Sequence, residues 1–323
     1  MIEIVAHSEA MGEAVRLADR VAGTDANVLI TGESGVGKDA LAFYVHSKSS
    51  RGAQSFVKID CATLPSGLLE AELFGYERGA FTGASEEKPG RLEASHRGTL
   101  VLDEIAYLST DSQAKLLRVI ETREFERLGG RRTIKVDARL IALTNVDLSD
   151  SVKRQQFRED LYYRLHVLHI KVPPLRERKE DLAQLARFFV RSYAAKHGRD
   201  VTDVSAEALS LLGEYEFPGN VRELANTIER AVIVSSSERI EIEHLPEPIR
   251  ATVQGQRRRQ QPQSLAEVEA EYIAEILALT KGNKTEAARI LGISRKNLYE
   301  KLARRKKDEG GSMKENERMK DER

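Results

Sequence analysis

"GESGVGKD", Gly32 to Asp39, follows the apolar run "NVLIT" (27–31) and opens a stretch with helical spacing. Strand, glycine-rich turn and helix in that order bring backbone N–H groups and a helix N-terminus around an anion. Gly32 and Gly37 permit the tight backbone, with Glu33, Ser34, Gly35 and Val36 between them, and Lys38 is placed to reach the outer phosphates of a nucleotide. The usual Ser or Thr after the lysine is replaced by Asp39, whose carboxylate can order Mg²⁺ through a water. A glycine-rich turn with a stray lysine is the plainer reading, and the strand and helix on either side count against it.

Working outward, four more short apolar runs follow: "FVKID" (56–60), "TLVLDE" (99–104), "ARLIALT" (138–144) and "VLHIKV" (167–172). Their near-continuous apolar character suits a parallel sheet buried on both faces, and helical stretches such as 38–47 and 111–121 lie between them. The expectation is an α/β, doubly wound domain. Pro173 and Pro174 stop the last strand, and from Arg178 to about Ile249 apolar residues recur at helical spacing, which predicts an all-α lid.

A second signal is independent of the first. The run 99–104 ends in two carboxylates. Asp103 is placed to hold Mg²⁺ through water, and Glu104 to orient or deprotonate an attacking water. A strand that merely ends in acids is common, but the pair at this distance from Gly32–Asp39 points to hydrolysis of a nucleoside triphosphate. "LTN" offers Thr144 and Asn145 as neutral γ-phosphate sensors. "FREDLYYRL" (157–165) supplies Arg158 and Arg164, read either as surface arginines on a charged helix or as arginine fingers reaching a neighbouring subunit's nucleotide.

The chain has 323 residues, which implies two or three domains, and 51 acidic residues balance 51 basic ones. Any affinity for nucleic acid must therefore be local. It is: segment 281–307 carries ten basic residues against two acidic ones. Within it a helix from about Thr285 to Leu291, a turn at Gly292-Ile293, and a second helix capped by Ser294 make a helix-turn-helix. Ser294, Arg295 and Asn297 would stand at base edges in the major groove, Lys296 would also bind DNA, and Lys301, Arg304 and Arg305 would hold phosphates. An ordinary basic hairpin, or a polymerase contact, is the alternative. The preceding amphipathic helix, 265–279, would pair with its twin in a dimer. The polar stretch 251–263 reads as a flexible linker, in which Arg257 to Arg259 can add phosphate contact, and 308–323 as a disordered charged tail. A single cysteine, Cys61, and the lack of a membrane span or signal segment suggest a cytoplasmic protein that does not meet the membrane.

"ELFGYERGAFTGAS" (72–85) remains. It puts Phe81 and Thr82 between Gly79-Ala80 and Gly83-Ala84 with no charge, a composition suited to neither a core strand nor an ordinary solvent loop. Together with "PGRLEASHRGTLVLDEI", "LLRVIE", "FERLGG", "VPPLRERKEDL" and "FPGNVREL", it makes residues 4 to 249 resemble the AAA+ domain of bacterial sigma-54-dependent transcription activators (enhancer-binding proteins). The C-terminal segment is similar to the Fis-type helix-turn-helix that closes them.

The resemblance implies an AAA+ P-loop ATPase subdomain at 1–172, a helical lid at 173–250 and a DNA-binding domain at 264–307. It implies ATP and Mg²⁺ as cofactors, and assembly into a ring, from dimer to hexamer, on enhancer DNA. It further implies that Gly79 to Ala84 (GAFTGA) projects from the ring and touches the sigma-54 factor of RNA polymerase. Position by position, Asp103 and Glu104 match the family's Walker B acids, Asn145 its first sensor, Arg158 and Arg164 its trans-acting arginines, and Arg222 its second sensor. Asp60 stands where the family often has a switch Asn that contacts the Walker B glutamate. An Asp there requires that one acid be protonated or that a cation lie between them. Phe217 stands where Trp is frequent. No receiver or GAF domain precedes the ATPase module, so the expectation is a regulatory protein acting in trans, or a chain that is part of a longer one. Two other classes compete: a nucleotide-sensing DNA-binding repressor with weak or no ATPase, and a replication-initiator-like ATPase that remodels DNA itself.

Overall fold

The computed structural model describes residues 4–251, 265–280 and 282–302. Most of the expected linker, the expected charged tail, Arg257 to Arg259, Arg304 and Arg305 lie outside the described residues. The chain divides into two compact units, one ending at Ala251 and the other beginning at Thr252.

The first unit is built on five parallel strands, β1 (Val28–Thr31), β2 (Phe56–Asp60), β3 (Thr99–Asp103), β4 (Arg139–Thr144) and β5 (Leu168–Lys171), in the order β2-β3-β4-β1-β5. These are the five apolar runs, and they are apolar throughout because both faces are covered. Leu100 and Leu102 of β3 enter one core while Val101 enters the other, and Leu140 and Ile141 of β4 divide in the same way. Helices α1 (Glu9–Ala22) and α2 (Lys38–Ser47) bury Ala18, Leu41 and Val45 against one face. Helices α3 (Ser66–Phe74), α4 (Thr110–Thr122) and α5 (Glu159–Leu165) bury Leu73, Leu116 and Leu161 against the other. The doubly wound α/β architecture follows from this two-sided burial.

Two buried charges tie α1 in place. Arg139 of β4 is 1% exposed and donates to the carbonyls of Val21 and Ala22 at the end of α1. Asp181 accepts from the backbone N–H groups of His7 and Ser8 and from the Ser8 hydroxyl, so it caps the start of α1 from the lid.

The lid packs α6 (Leu182–His197), α7 (Ala206–Glu214) and α8 (Asn220–Val234). It is helical as the spacing predicts, and it adds a short parallel pair, Asp203–Val204 with Arg239–Ile240, that the spacing did not indicate. Val204 and Ile240 are buried β-branched residues in connecting segments, and pairing satisfies backbone groups that the helices leave over. Two short antiparallel pairs also went unread: Gly75–Tyr76 with Lys88–Pro89, and Glu124–Glu126 with Thr133–Lys135.

In the second unit α9 (Leu265–Leu279) is followed by α10 (Lys284–Ile290) and a helical segment, 295–302. The Asn283 side chain caps α10, Gly292 turns the chain with φ of 66°, and the Ser294 hydroxyl accepts from Asn297 N–H at 3.2 Å. Ile273, Ile276, Ala287, Ala288 and Leu298 form its core, which is the helix-turn-helix pattern expected of the sequence. Among the described residues no helix is long and apolar enough to cross a membrane.

Candidate functional site

The loop between β1 and α2 turns on three glycines, Gly32, Gly35 and Gly37, with φ of 154°, 78° and 104°. A Cβ on Gly35 would lie 2.4 Å from the Gly219 carbonyl of the lid, so the loop has no room for a side chain there. Lys38 is 7% exposed; its Nζ donates to the Gly32 and Glu33 carbonyls at 2.8 and 3.2 Å and lies 3.9 Å from Glu104 Oε1. Burial pushes the Lys38 ammonium below the usual lysine range, against the opposing pull of Glu104, Asp103 and Asp39.

Asp103 ends β3, and Glu104 takes a left-handed backbone, φ 53° and ψ 48°. A non-glycine residue held there costs on the order of 1–3 kcal/mol, a strain typical of functional positions. Its Oε2 accepts from the backbone N–H of Asn145 at 3.2 Å, which joins the ends of β3 and β4. Asp60 is level with Asp103 in the parallel register, but its Oδ1 accepts from Ala62 N–H at 2.9 Å. A further cation beside Asp103 is Lys58, to which the sequence reading gave no role. Its Nζ sits 2.5 Å from Asp39 Oδ1 and 2.8 Å from Asp103 Oδ2. Burial opposes its charge, but the hydrogen bonds it donates to Asp103 and Asp39 prevail and hold its pKa above the usual lysine range.

The lid closes over the loop through several contacts. Arg222 Nη1 donates to Ser34 Oγ at 2.9 Å, and its backbone N–H to the Gly35 carbonyl. Arg176 grips Glu33 with two hydrogen bonds, 2.8 and 2.6 Å. Asn220, with φ of 53°, donates to Glu33 and to the Ser34 carbonyl while accepting from Leu175 N–H. The buried Arg178 donates to the Val36 carbonyl at 2.5 Å. Between loop and lid lies a cleft of about 240 Å³ whose polar wall includes Lys38, Asp39, Asp103, Glu104 and Arg222, and whose apolar wall is Phe189, Val221 and Ala225. Such a cleft accepts a phosphate chain on one side and a flat apolar ring on the other. Sequence reasoning found the polar wall and missed Lys58, Arg176, Arg178, Phe189 and Asn220. Arg176 and Arg178 stood in "VPPLRERKEDL", a run of arginines directly after a strand end, which was the available signal.

Arg158 and Arg164 do not line this cleft. Arg158 pairs with Asp160 at 2.7 Å and Arg164 with Glu121 at 3.1 Å, both near the surface on α5 or its cap.

In the glycine-bracketed loop, Gly79 and Gly83 have φ of 83° and 108°, and Gly79 N–H donates to the Ala84 carbonyl at 2.8 Å, closing the loop. Phe81 is 42% exposed, its ring edge set against Tyr76 with centroids 4.9 Å apart. Thr82 is exposed and Ala84 buried. The loop base rests on 128–130: Leu128 N–H donates to the Gly75 carbonyl and Glu77 N–H to the Leu128 carbonyl, and a Cβ on Gly129 would meet that of Ala80 at 2.8 Å. Arg127 holds Glu93 through two bonds of 2.9 Å and reaches Glu77 and Glu87 at 3.2 Å each.

In the second unit Ser294, Arg295, Lys296 and Asn297 are exposed together at the start of segment 295–302. Lys301 instead pairs with Glu269 of α9 at 2.6 Å, so its charge is already partnered.

A parallel sheet in this order, a phosphate loop after β1, paired acids at the end of β3 with β4 between the two strands, and a helical lid define a P-loop ATPase of the AAA+ class. Models of known families match the chain in three consecutive parts: a sigma-54 interaction domain at residues 4–171, an AAA+ ATPase lid domain at 176–262, and a Fis-family bacterial regulatory protein at 264–304. The regulatory protein AtoC of Escherichia coli is 46% identical over 307 residues, covering 93% of this chain and 67% of that one. The transcriptional regulatory protein ZraR of Salmonella typhimurium is 46% identical over 301 residues, covering 93% and 68%. The structure of NtrX from Brucella abortus in complex with ATP superposes with a TM-score of 0.70 at 35% identity, covering 93% of this chain and 68% of that chain. The chain belongs to the family of sigma-54-dependent transcription activators, with an AAA+ ATPase domain that binds ATP and a Fis-type DNA-binding domain. That membership does not favour the repressor reading.

Proposed function

We propose that the chain binds enhancer DNA through its Fis-type domain, assembles into a ring of up to six copies, and couples ATP cleavage to movement of Gly79–Ala84 against the sigma-54 factor so that the promoter opens. On this reading residues 1–172 are the ATPase subdomain, 173–250 the lid, 251–263 a linker and 264–307 the DNA-binding domain, acting in the cytoplasm and away from membranes, with a regulatory protein in trans. The single observation that carries it is the chain of contacts from the acids to the loop. Glu104 bonds the end of β4, β3 pairs with β2, and a cleft of about 560 Å³ lined by Asp60, Tyr76 and Phe81 joins the end of β2 to the loop.

The residues divide the work. Gly32 to Gly37 present backbone N–H groups to the phosphates, and Lys38 neutralises their charge. Asp103 and Asp39 suit Mg²⁺, because both offer hard oxygen donors that converge on one ammonium. When bound, the ion would draw charge from the phosphate oxygens. Glu104 orients the attacking water and passes its state to Asn145. Arg222 follows the nucleotide from the lid. Arg158, half-buried, and Arg164, exposed, both lie outside the cleft and serve a neighbouring copy's site. Asp60 senses change at the end of β3. At the DNA end Ser294, Arg295 and Asn297 meet base edges with Lys296 beside them, and Arg304 meets the backbone, while Lys301, already paired with Glu269, adds little.

Thr82→Ala tests the coupling role. Phosphate release should stay near the wild-type rate, while open-complex formation with sigma-54 polymerase is lost. Parallel loss of both activities would mean that the loop is not a dedicated coupling element.

A further inference from the structure

Among the described residues, Lys58 is the one cation that bonds both acids proposed to face the metal. It rises from β2 two residues before Asp60, so the two side chains leave the same face of the strand. The partner acids come from different elements, Asp39 from α2 and Asp103 from the end of β3, yet one ammonium reaches both, at 2.5 and 2.8 Å. Two carboxylates that meet at one point with one positive charge between them form a site with charge left to satisfy. An ammonium and a divalent ion select the same oxygens and repel each other, so both cannot occupy the space between them.

We infer that Lys58 is a tethered cation that competes with Mg²⁺ for the Asp39–Asp103 pair and thereby sets how strongly nucleotide binding depends on the metal. The inference rests on the reading of Asp39 and Asp103 as metal-facing acids. In metal-free buffer the ammonium screens the two carboxylates, which would otherwise repel the phosphates of ATP. When the metal binds, the ammonium gives up the pair. Its nearest acid on the same strand face is Asp60, and both residues line the cleft that reaches Phe81. The cation that an Asp at position 60 needs is thus supplied by the chain itself, two residues earlier on the strand.

The test uses the full chain and a fluorescent ATP analogue with a non-hydrolysable γ-phosphate, its affinity measured by anisotropy with EDTA and with Mg²⁺. The quantity compared is the ratio of the metal-free to the metal-bound Kd. Lys58→Met removes the tethered charge, so metal-free binding should weaken and metal-bound binding tighten, raising the ratio about tenfold or more over wild type. Lys58→Gln should do the same, which guards against a packing effect of methionine, and thermal unfolding of each variant checks the fold. Lys58→Arg keeps the charge and should leave the ratio near wild type. Equal ratios for wild type, Lys58→Met and Lys58→Gln would overturn the inference while leaving the nucleotide site intact. Failure of the wild-type chain to bind the analogue in either buffer would instead overturn the reading of the site itself.

Discussion

Arg176, at the entrance to the lid, and Glu33, in the phosphate loop, form a two-point ion pair with distances of 2.6 and 2.8 Å across 143 positions of sequence. The pair makes the position of the lid depend on the shape of the loop. Hydrogen bonds from Arg176 and Asn220 bring the Glu33 carboxyl from an ordinary 4.5 to about 2. A carboxylate whose folded pKa is depressed stabilises the fold above its unfolded value and loses that contribution as pH falls through the folded one.

Glu33→Gln should therefore cost stability at pH 7, where the wild-type carboxylate is charged and paired. Both partners are more than a third exposed, so screening limits the cost to about 1 kcal/mol. The difference between variant and wild type should shrink as pH falls from about 4.5 toward 2, read as converging urea midpoints. A constant gap across that window would show that the pair does not titrate with folding.

Glu104→Gln keeps the side chain's size and its ability to accept from Asn145 N–H but cannot take a proton. Turnover should fall by roughly 10²–10⁴-fold with ATP still bound. Phosphate release and anisotropy of a labelled nucleotide, measured on the same sample, check this.

Arg158→Ala leaves the cleft's lining untouched, so nucleotide affinity should hold while turnover drops by about 10³–10⁵-fold. By transition-state arithmetic that is roughly 4–7 kcal/mol. Mixing this variant with Lys38→Ala chains should restore part of the activity, because each supplies what the other lacks. Absence of any rescue would place Arg158 in its own subunit's chemistry.

Arg295→Ala should weaken binding to the cognate site by about 1–3 kcal/mol and relax the preference at one base position. Lys301→Ala should do much less, since its ammonium already bonds Glu269. Titration of a labelled duplex and a mismatched control separates the two outcomes.

Local pattern made the sheet, the phosphate loop, the paired acids and the helix-turn-helix legible. Their signals are contiguous: an apolar strand, a glycine turn, a cap. Asn220 and Phe189 were illegible for the opposite reason. Each acts on the loop or cleft from far along the chain, and nothing next to Asn220 announces that its amide will bond Glu33 and Ser34. Lys58 was hidden differently. In "FVKID" it looks like an outward-facing strand residue, and only the convergence of α2 and β3 reveals two acids above it. The short pair 75–76 with 88–89 escaped notice because two-residue strands carry no periodicity.

The contact between Gly129 and Ala80 has a consequence for inheritance. With a positive φ and a neighbouring Cβ at 2.8 Å, position 129 has no substitution it can accept alone, and position 80 can shrink only to glycine. Because the Ala80 Cα would still lie 2.9 Å from an added Cβ after such a change, lineages descending from this chain are held to glycine at 129, and random libraries should recover no tolerated change there.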